Sequence, residues 1–305
     1  MKKKLTGMKY FKIIILSIGL LVVSCSTQNT GTKSTKKIYD SKQEEALLNV
    51  KYSLHKRNVM DVYLPANRSL QTAFLISIHG GAWTTGDKRQ LTELSKYLLS
   101  QGIAVANLNY RYANSTDTHL PELLDDIESV VKYLASHSKE WNTRNEGFSV
   151  LGGSSGAHVS MMYAYTRNPQ IKSIVDICGP TDFTNIQTLE KIRANFFGGL
   201  LFKTLNKMSE NKIAWKPGNE IPEAYIMSSP AIFVRQIPIM IVHGDKDNIV
   251  PIEQSYILEN ELKTINVQNK LIVVSGAGHN PLKRTKDKQS IFADIVGWLK
   301  KYGVN

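Results

Sequence analysis

Val150-Leu151-Gly152-Gly153-Ser154-Ser155-Gly156-Ala157-His158 runs from an apolar strand into a helix, with a serine at the join. Phe148, Val150 and Leu151 are β-type and apolar, and Ser155 to Tyr165 reads as a helix of small and apolar residues. Gly152, Ser154 and Gly156 satisfy Gly-x-Ser-x-Gly, in which the serine occupies a sharp strand-to-helix turn. The serine backbone is strained there, and side chains at the two glycine positions collide with the neighbouring strand or helix. The turn lifts Ser154 Oγ clear of the sheet, near a helix N-terminus where negative charge is favoured. An ordinary Gly/Ser-rich turn has the same composition, so the flanking chain decides.

Upstream, Asn49 to Leu54 and Val59 to Leu64 read as an antiparallel hairpin. Ala73 to Ile78 is a short buried strand that ends in His79-Gly80-Gly81-Ala82-Trp83. Lys88 to Gln101 is expected to be a helix with Asp87 as its N-cap. Ile103 to Asn109 is a strand, and Leu120 to His137 an amphipathic helix with Pro121 in its first turn. Downstream, Ile171 to Cys178, Ile237 to Val242 and Lys270 to Ser275 are strands. The helices Ile252 to Thr264 and Lys286 to Tyr302 alternate with them. That alternation predicts an α/β fold, a mostly parallel central sheet with helices on both faces. Residues 183–234 break the rhythm and are expected to form a lid insertion over the C-terminal edge of the sheet.

A serine nucleophile needs a base, a group to orient the base, and donors for the oxyanion. Of the seven histidines, His279 follows the last strand in a glycine-rich loop and is the strongest base candidate. His158, one helical turn past Ser154, reads as a packed structural residue. His79 and His243 stand at strand ends and read as loop braces. Arg111 reads as a half-buried ion-pair partner, and Asp182 as a lid contact or a turn cap. Asp247 lies on the loop after the preceding strand, giving the chain order Ser154, Asp247, His279. Asp245 is expected to accept local backbone N–H bonds instead.

Four motifs, His79 to Trp83, Gly152 to Gly156, His243 to Pro251 and Gly278-His279, together resemble α/β-hydrolase carboxylesterases. The resemblance is greatest to the bacterial feruloyl and acetyl-xylan esterase group, with hormone-sensitive-lipase-type esterases as cousins, and runs from about Asn49 to Tyr302. It implies the α/β-hydrolase fold, a Ser154–His279–Asp247 triad, and an oxyanion hole from the backbone of Gly81, Ala82 and Ser155. Ala82 replaces a glycine of the motif, which a backbone donor tolerates if its φ/ψ suits. Trp83, Phe196, Phe197 and Trp215 are candidates for the substrate cleft, although apolar lid residues also pack on the body. The implied substrate is a small-molecule carboxylic ester, short-chain or aromatic, with carbohydrate-linked esters included. Two rivals share the scaffold: an amide or peptide hydrolase of the formamidase or acyl-aminoacyl peptidase type, and a surface binding protein that has lost catalysis.

Composition sets the outer bounds. The chain has 305 residues, 42% of them hydrophobic, enough for one large domain. The net charge of +12 includes Lys2, Lys3, Lys4, Lys9 and Lys12 at the N-terminus, and the rest is diffuse, so nucleic acid is not an expected partner. No Walker motif, Rossmann glycine pattern or HExxH is present, so no cofactor or metal is expected. The basic start and the apolar run Ile13 to Val23 suit a secretory signal. Val22-Val23-Ser24-Cys25 resembles the lipobox of bacterial lipoproteins. The expectation is a signal peptide over 1–24, a lipidated Cys25, a flexible tether over 25–45 and a catalytic domain over 46–305. That places the protein in a bacterial cell envelope, held to a membrane by its lipid. Cys178 reads as a small core residue.

Overall fold

The computed structural model describes residues 39–167, 170–212 and 214–303. The expected signal peptide, Cys25 and the tether up to residue 38 lie outside the described residues. The chain folds in the order β1 (Glu45–Lys51), β2 (Val59–Leu64), β3 (Phe74–Ile78), α1 (Thr92–Ser100), β4 (Ala104–Leu108), α2 (Leu120–Trp141), β5 (Ser149–Gly153) and α3 (Ser155–Thr166). It continues with β6 (Ile174–Ile177), α4 (Ile186–Ala194), α5 (Gly198–Met208), α6 (Glu223–Ile226), β7 (Ile239–Gly244), α7 (Glu253–Thr264), β8 (Asn269–Val274) and α8 (Thr285–Tyr302).

The strands form one sheet in the order β1-β2-β4-β3-β5-β6-β7-β8. The β1–β2 and β2–β4 pairs are antiparallel, and every pair from β4 to β8 is parallel. Alternation along the strands divides the core. Phe74, Ile76, Ile78 and Val150 face α2, α3 and α7, whereas Leu75 and Leu151 face α1 and α8. Both faces are therefore covered, as a parallel sheet requires. The β3–β5 contact places Ile78 opposite Gly152, so the loops after these two strands leave the sheet side by side.

Several expected boundaries shift: α2 runs on to Trp141, β6 is confined to Ile174–Ile177, and Lys88–Leu91 is a 3-10 turn ahead of α1. β1 begins at Glu45 rather than Asn49, with a register shift between Leu47 and Val50 where Asn49 takes a φ of 55°. The tether expected through residue 45 is already folded from Tyr39. The Tyr39 ring meets Trp141 edge-on at 6.5 Å, and Arg68 ties down this stretch through its backbone N–H to Ser41 O and its Nη1 to Gln43 O. The polar composition of residues 40–44 hides these backbone acceptors. The insertion between β6 and β7 is present and helical, with α4, α5 and α6 inside it.

Candidate active site

Ser154 sits between β5 and α3 with φ 53° and ψ −123°. Its N–H donates to Ile177 O at 2.7 Å, which fixes the turn against β6. The conformation requires close backbone approach on both sides. A Cβ on Gly152 would stand 2.2 Å from the Gly156 carbonyl carbon, and one on Gly156 would stand 2.2 Å from Ile78 O. Contacts that short do not occur, so both positions are confined to glycine in this geometry.

The loops after β7 and β8 bring the other two expected residues to the serine. His279 Nε2 lies 2.8 Å from Ser154 Oγ, and His279 Nδ1 lies 2.7 Å from Asp247 Oδ2. The carboxylate can only accept, which assigns the proton to Nδ1 and leaves Nε2 to accept the serine O–H. The Asp247 carboxylate is fully buried yet held well below the usual carboxylate range. Burial opposes its charge, but hydrogen bonds from His243, His279 and Ile249 N–H outweigh that cost. Asp247 Oδ1 accepts from Ile249 N at 2.8 Å and Val250 N at 3.0 Å.

Asp245 behaves differently from the expectation of a local turn contact. Its Oδ1 accepts from Gly276 N at 2.6 Å, across on the loop that carries His279. Lys246 N–H donates to Ala277 O at 2.9 Å, so the two loops are joined backbone to backbone.

The His79 to Trp83 loop lies on the other side of Ser154. A Cβ on Gly80 would stand 3.2 Å from Ser154 Cβ. Gly81, Ala82 and Trp83 all have positive φ, at 125°, 48° and 61°. Among the described residues, the N–H groups of Gly81, Ala82 and Ser155 have no hydrogen-bond acceptor in the protein. Unpartnered N–H groups beside a serine hydroxyl are what an oxyanion needs.

Two buried histidines hold this loop. Burial pulls His79 down to about 4, despite a bond to Gly80 O, so it is neutral. Its Nδ1–H donates to Gly80 O at 2.7 Å, and its Nε2 accepts from Arg57 Nη2 at 3.2 Å. Burial likewise holds His158 at about 4. Its Nε2–H donates to Ser228 O at 2.8 Å, and its Nδ1 accepts from Trp83 Nε1–H at 3.1 Å. Arg111 pairs with Asp126 at 3.0 Å, and Asp182 Oδ1 accepts from Thr184 N at 2.7 Å, so both are structural.

A cleft of about 700 Å³ opens at Ser154 and His279. Its lid side is apolar: Phe183, Leu189, Ile192, Leu201, Phe202 and Leu205. The opposite rim mixes Gln90, Glu93, Asn280, Lys283 and Lys288 with Leu91, Leu94, Leu282 and Phe292. Of the four candidate substrate residues, Trp83 and Phe197 line the cleft. Phe196 and Trp215 do not. Phe196 is 93% exposed at the tip between α4 and α5. Trp215 is 2% exposed, stacks on Phe202 at 6.4 Å and donates Nε1–H to Asn219 O. It is core of the lid itself.

Sequence reading also passes over Gln254, which fastens the start of the lid. Its Oε1 accepts from Thr181 N and Asp182 N, both at 2.7 Å, and its Nε2 donates to Asp182 O and Thr188 Oγ1. A buried glutamine in α7 gives no signal of its distant partners. Cys178, His243 and Asp247 place ligand-type atoms within 4.8 Å of one another. Burial first, and then the Asp247 charge, push the Cys178 thiol well up, so it stands beside His243 and Asp247 as a protonated neighbour.

Comparison with known proteins places this geometry in context. Residues 60–262 match the BD-FAE family. The probable carboxylic ester hydrolase LipM of Mycobacterium tuberculosis is 25% identical over 209 residues, covering 64% of this chain and 46% of that protein. The isoprenylcysteine alpha-carbonyl methylesterase ICME of Arabidopsis thaliana is 22% identical over 264 residues, covering 80% of this chain and 60% of that protein. The chain thus spans about half the length of these curated relatives. Among solved structures, a truncated carbohydrate esterase from gut microbiota superposes with a TM-score of 0.69 at 21% identity, covering 88% of this chain and 99% of that one. That likeness shows the α/β-hydrolase fold.

Proposed function

The chain belongs to the BD-FAE family, and from that premise we propose that it hydrolyses carboxylic esters through an acyl-enzyme on Ser154. The observation that carries the reading is the continuous relay at the mouth of the cleft, from Ser154 Oγ to His279 Nε2 at 2.8 Å and from His279 Nδ1 to Asp247 Oδ2 at 2.7 Å. His279 Nε2 takes the serine proton as Oγ bonds to the ester carbonyl carbon. The carbonyl oxygen becomes an oxyanion, stabilised by the N–H groups of Gly81, Ala82 and Ser155. Asp247 holds the Nδ1–H tautomer and stabilises the imidazolium. The carbonyl carbon–alkoxide bond then breaks, and His279 Nε2–H protonates the departing alcohol. Water gives a proton to His279 and its oxygen attacks the acyl carbon. The bond to Oγ breaks, Ser154 recovers its proton and the carboxylic acid leaves.

The apolar lid side supports an ester with an apolar acyl part, and the charged and amide groups on the mixed opposite rim support a polar alcohol. Short-chain and aromatic acyl groups fit that description, with sugar hydroxyls as one class of alcohol. Ser154→Ala is expected to lower kcat on p-nitrophenyl esters by roughly 10⁶-fold and to abolish fluorophosphonate labelling. Labelling retained in the variant would remove Ser154 from the role. Hydrolysis of aryl amides in preference to the matched esters would move the enzyme to the amidase class.

For the N-terminal segment the proposal is lipidation of Cys25 and attachment to a membrane of a bacterial envelope. The cysteine at the end of the apolar run supports it. Intact mass of the native protein is expected to show a chain starting at Cys25 with acyl groups. An unmodified Cys25 thiol would end this part of the proposal.

A further inference from the structure

His243 is fully buried at the end of β7 and takes no part in the steps above. Its Nε2 lies 3.2 Å from Asp247 Oδ2, the same oxygen that receives His279 Nδ1–H, and 2.9 Å from Val250 O. Both neighbours are acceptors, so Nε2 carries a proton shared between them. On the far side of the ring, Nδ1 meets Ser255 Oγ at 2.7 Å. That hydroxyl donates to a neutral imidazole and accepts from a charged one, so the ring stays fixed in either state. Asp247 therefore has donors on every side: two backbone N–H groups on Oδ1 and two imidazoles on Oδ2.

We infer that His243 is a positioning residue for ester hydrolysis, whose Nε2–H orients the Asp247 carboxylate and sets how strongly that carboxylate attracts the His279 proton. The inference rests on the hydrolase reading given above. A carboxylate oxygen that already accepts one hydrogen bond is a weaker acceptor for a second. With His243 in place, Asp247 holds the His279 tautomer without over-stabilising the imidazolium, and His279 Nε2 is left free of its proton to act as a base. Burial pulls the His243 proton off, but the bonds to Asp247 and Val250 O outweigh it and raise its affinity for protons.

The groups facing His243 act in a consistent direction. On β6, Asp176 pairs with Ile241, two residues before His243 on the same strand face; burial pushes its carboxyl up to about 7, so it is neutral below that pH and favours the His243 proton once it ionises above it. Cys178, just past β6, approaches within 4.8 Å as a neutral thiol. From α7, Ser255 contacts Nδ1, and Glu253 interacts with the ring through its charge. None of these supplies a second donor to Asp247 Oδ2 at the His243 position except the Cys178 thiol, a weak one.

The test is the pH profile of kcat/KM on p-nitrophenyl butyrate. In His243→Leu the acidic limb is expected to move up by roughly one pH unit, because Asp247 now binds the His279 proton more tightly. His243→Gln, which restores an N–H donor, is expected to recover most of the shift. A uniform fall in kcat/KM with the midpoint unmoved in both variants would mean a structural role only and would overturn the inference. A measurement on the unaltered chain guards against variants that do not fold. In ¹⁵N-histidine-labelled protein the His243 Nε2 resonance is expected to stay in the protonated range from pH 5 to 9. A bare-nitrogen shift there would overturn the inference. An unaltered chain with no esterase activity would count against the hydrolase reading, and the nitrogen shift would still decide His243.

Discussion

At the scale of single residues, three carboxylates near the sheet's C-terminal edge have three fates. Asp247 is buried, charged and saturated with donors. Asp247→Asn is expected to keep the fold and lower kcat by about 10⁴-fold, because the amide cannot hold the productive histidine tautomer. Asp245 needs only an acceptor oxygen for Gly276 N, which asparagine also offers, so Asp245→Asn should retain most activity. Comparison of the two by kcat and by thermal melt separates the roles. Asp176 is the third. Its Oδ1 accepts from Gly179 N at 2.7 Å, while Oδ2 has no partner among the described residues, and burial pushes the carboxyl up to about 7. The unfolded chain ionises this group near its ordinary value of about 3.9. Between that value and 7 the unfolded state loses a proton that the folded state keeps, so stability falls as pH rises. Asp176→Asn does not titrate. Its Tm relative to the unaltered protein is expected to climb from pH 4 to pH 7 and then level off. A gap that is constant with pH would mean that Asp176 is ionised in the fold.

At the scale of elements, the glycines of the elbow divide into two kinds. Gly156 has no room for a methyl group, because its Cβ would lie 2.2 Å from Ile78 O, whereas a Cβ on Gly153 meets nothing within 4 Å. Gly156→Ala is expected to cost about 1–3 kcal/mol or to displace α3 from β3. Gly153→Ala should melt within about 1 kcal/mol of the unaltered protein. The elbow was legible in sequence because its constraint is local: strand, glycine, serine, glycine, helix. The strands and the loops after β3, β7 and β8 were legible for the same reason, since each chemical residue directly follows an apolar run. The insertion was legible as a break in the rhythm, but which of its residues meet the cleft was not. Phe197 lines the cleft, while Phe196 beside it points to solvent and Trp215 fills the space under α5, yet all three are aromatic and follow turn-like sequence. Which face of α4 or α5 looks toward Ser154 depends on how the helices pack on the body. Gln254 fixes that through bonds to Thr181, Asp182 and Thr188 some seventy positions away. Asp245 was misplaced for a related reason, its partner lying on a different loop 31 residues on.

At the scale of the whole molecule, the described fold begins before the sheet does. Arg68 reaches Gln43 O at 2.6 Å and Trp141 O at 2.6 Å, joining the segment before β1 to the end of α2. A chain starting at Glu45 is expected to be less stable than one starting at Tyr39 by about 1–3 kcal/mol, the scale for leaving buried donors without acceptors. Paired thermal melts would show this as a drop of a few degrees, and equal melts would mean that the segment adds nothing. No helix among the described residues is long and apolar enough to cross a membrane. The Ser154–His279–Asp247 relay has a property visible only at this scale. The Ser154–His279 contact joins positions 125 residues apart, and β5, β6, β7 and β8 must pair in parallel before those positions meet. Parallel pairing over long separations is slow, because loop-closure entropy is lost before contacts compensate for it. In a refolding experiment, helical circular dichroism should therefore recover first and esterase turnover last, which would make regained catalysis a clock for completion of the sheet.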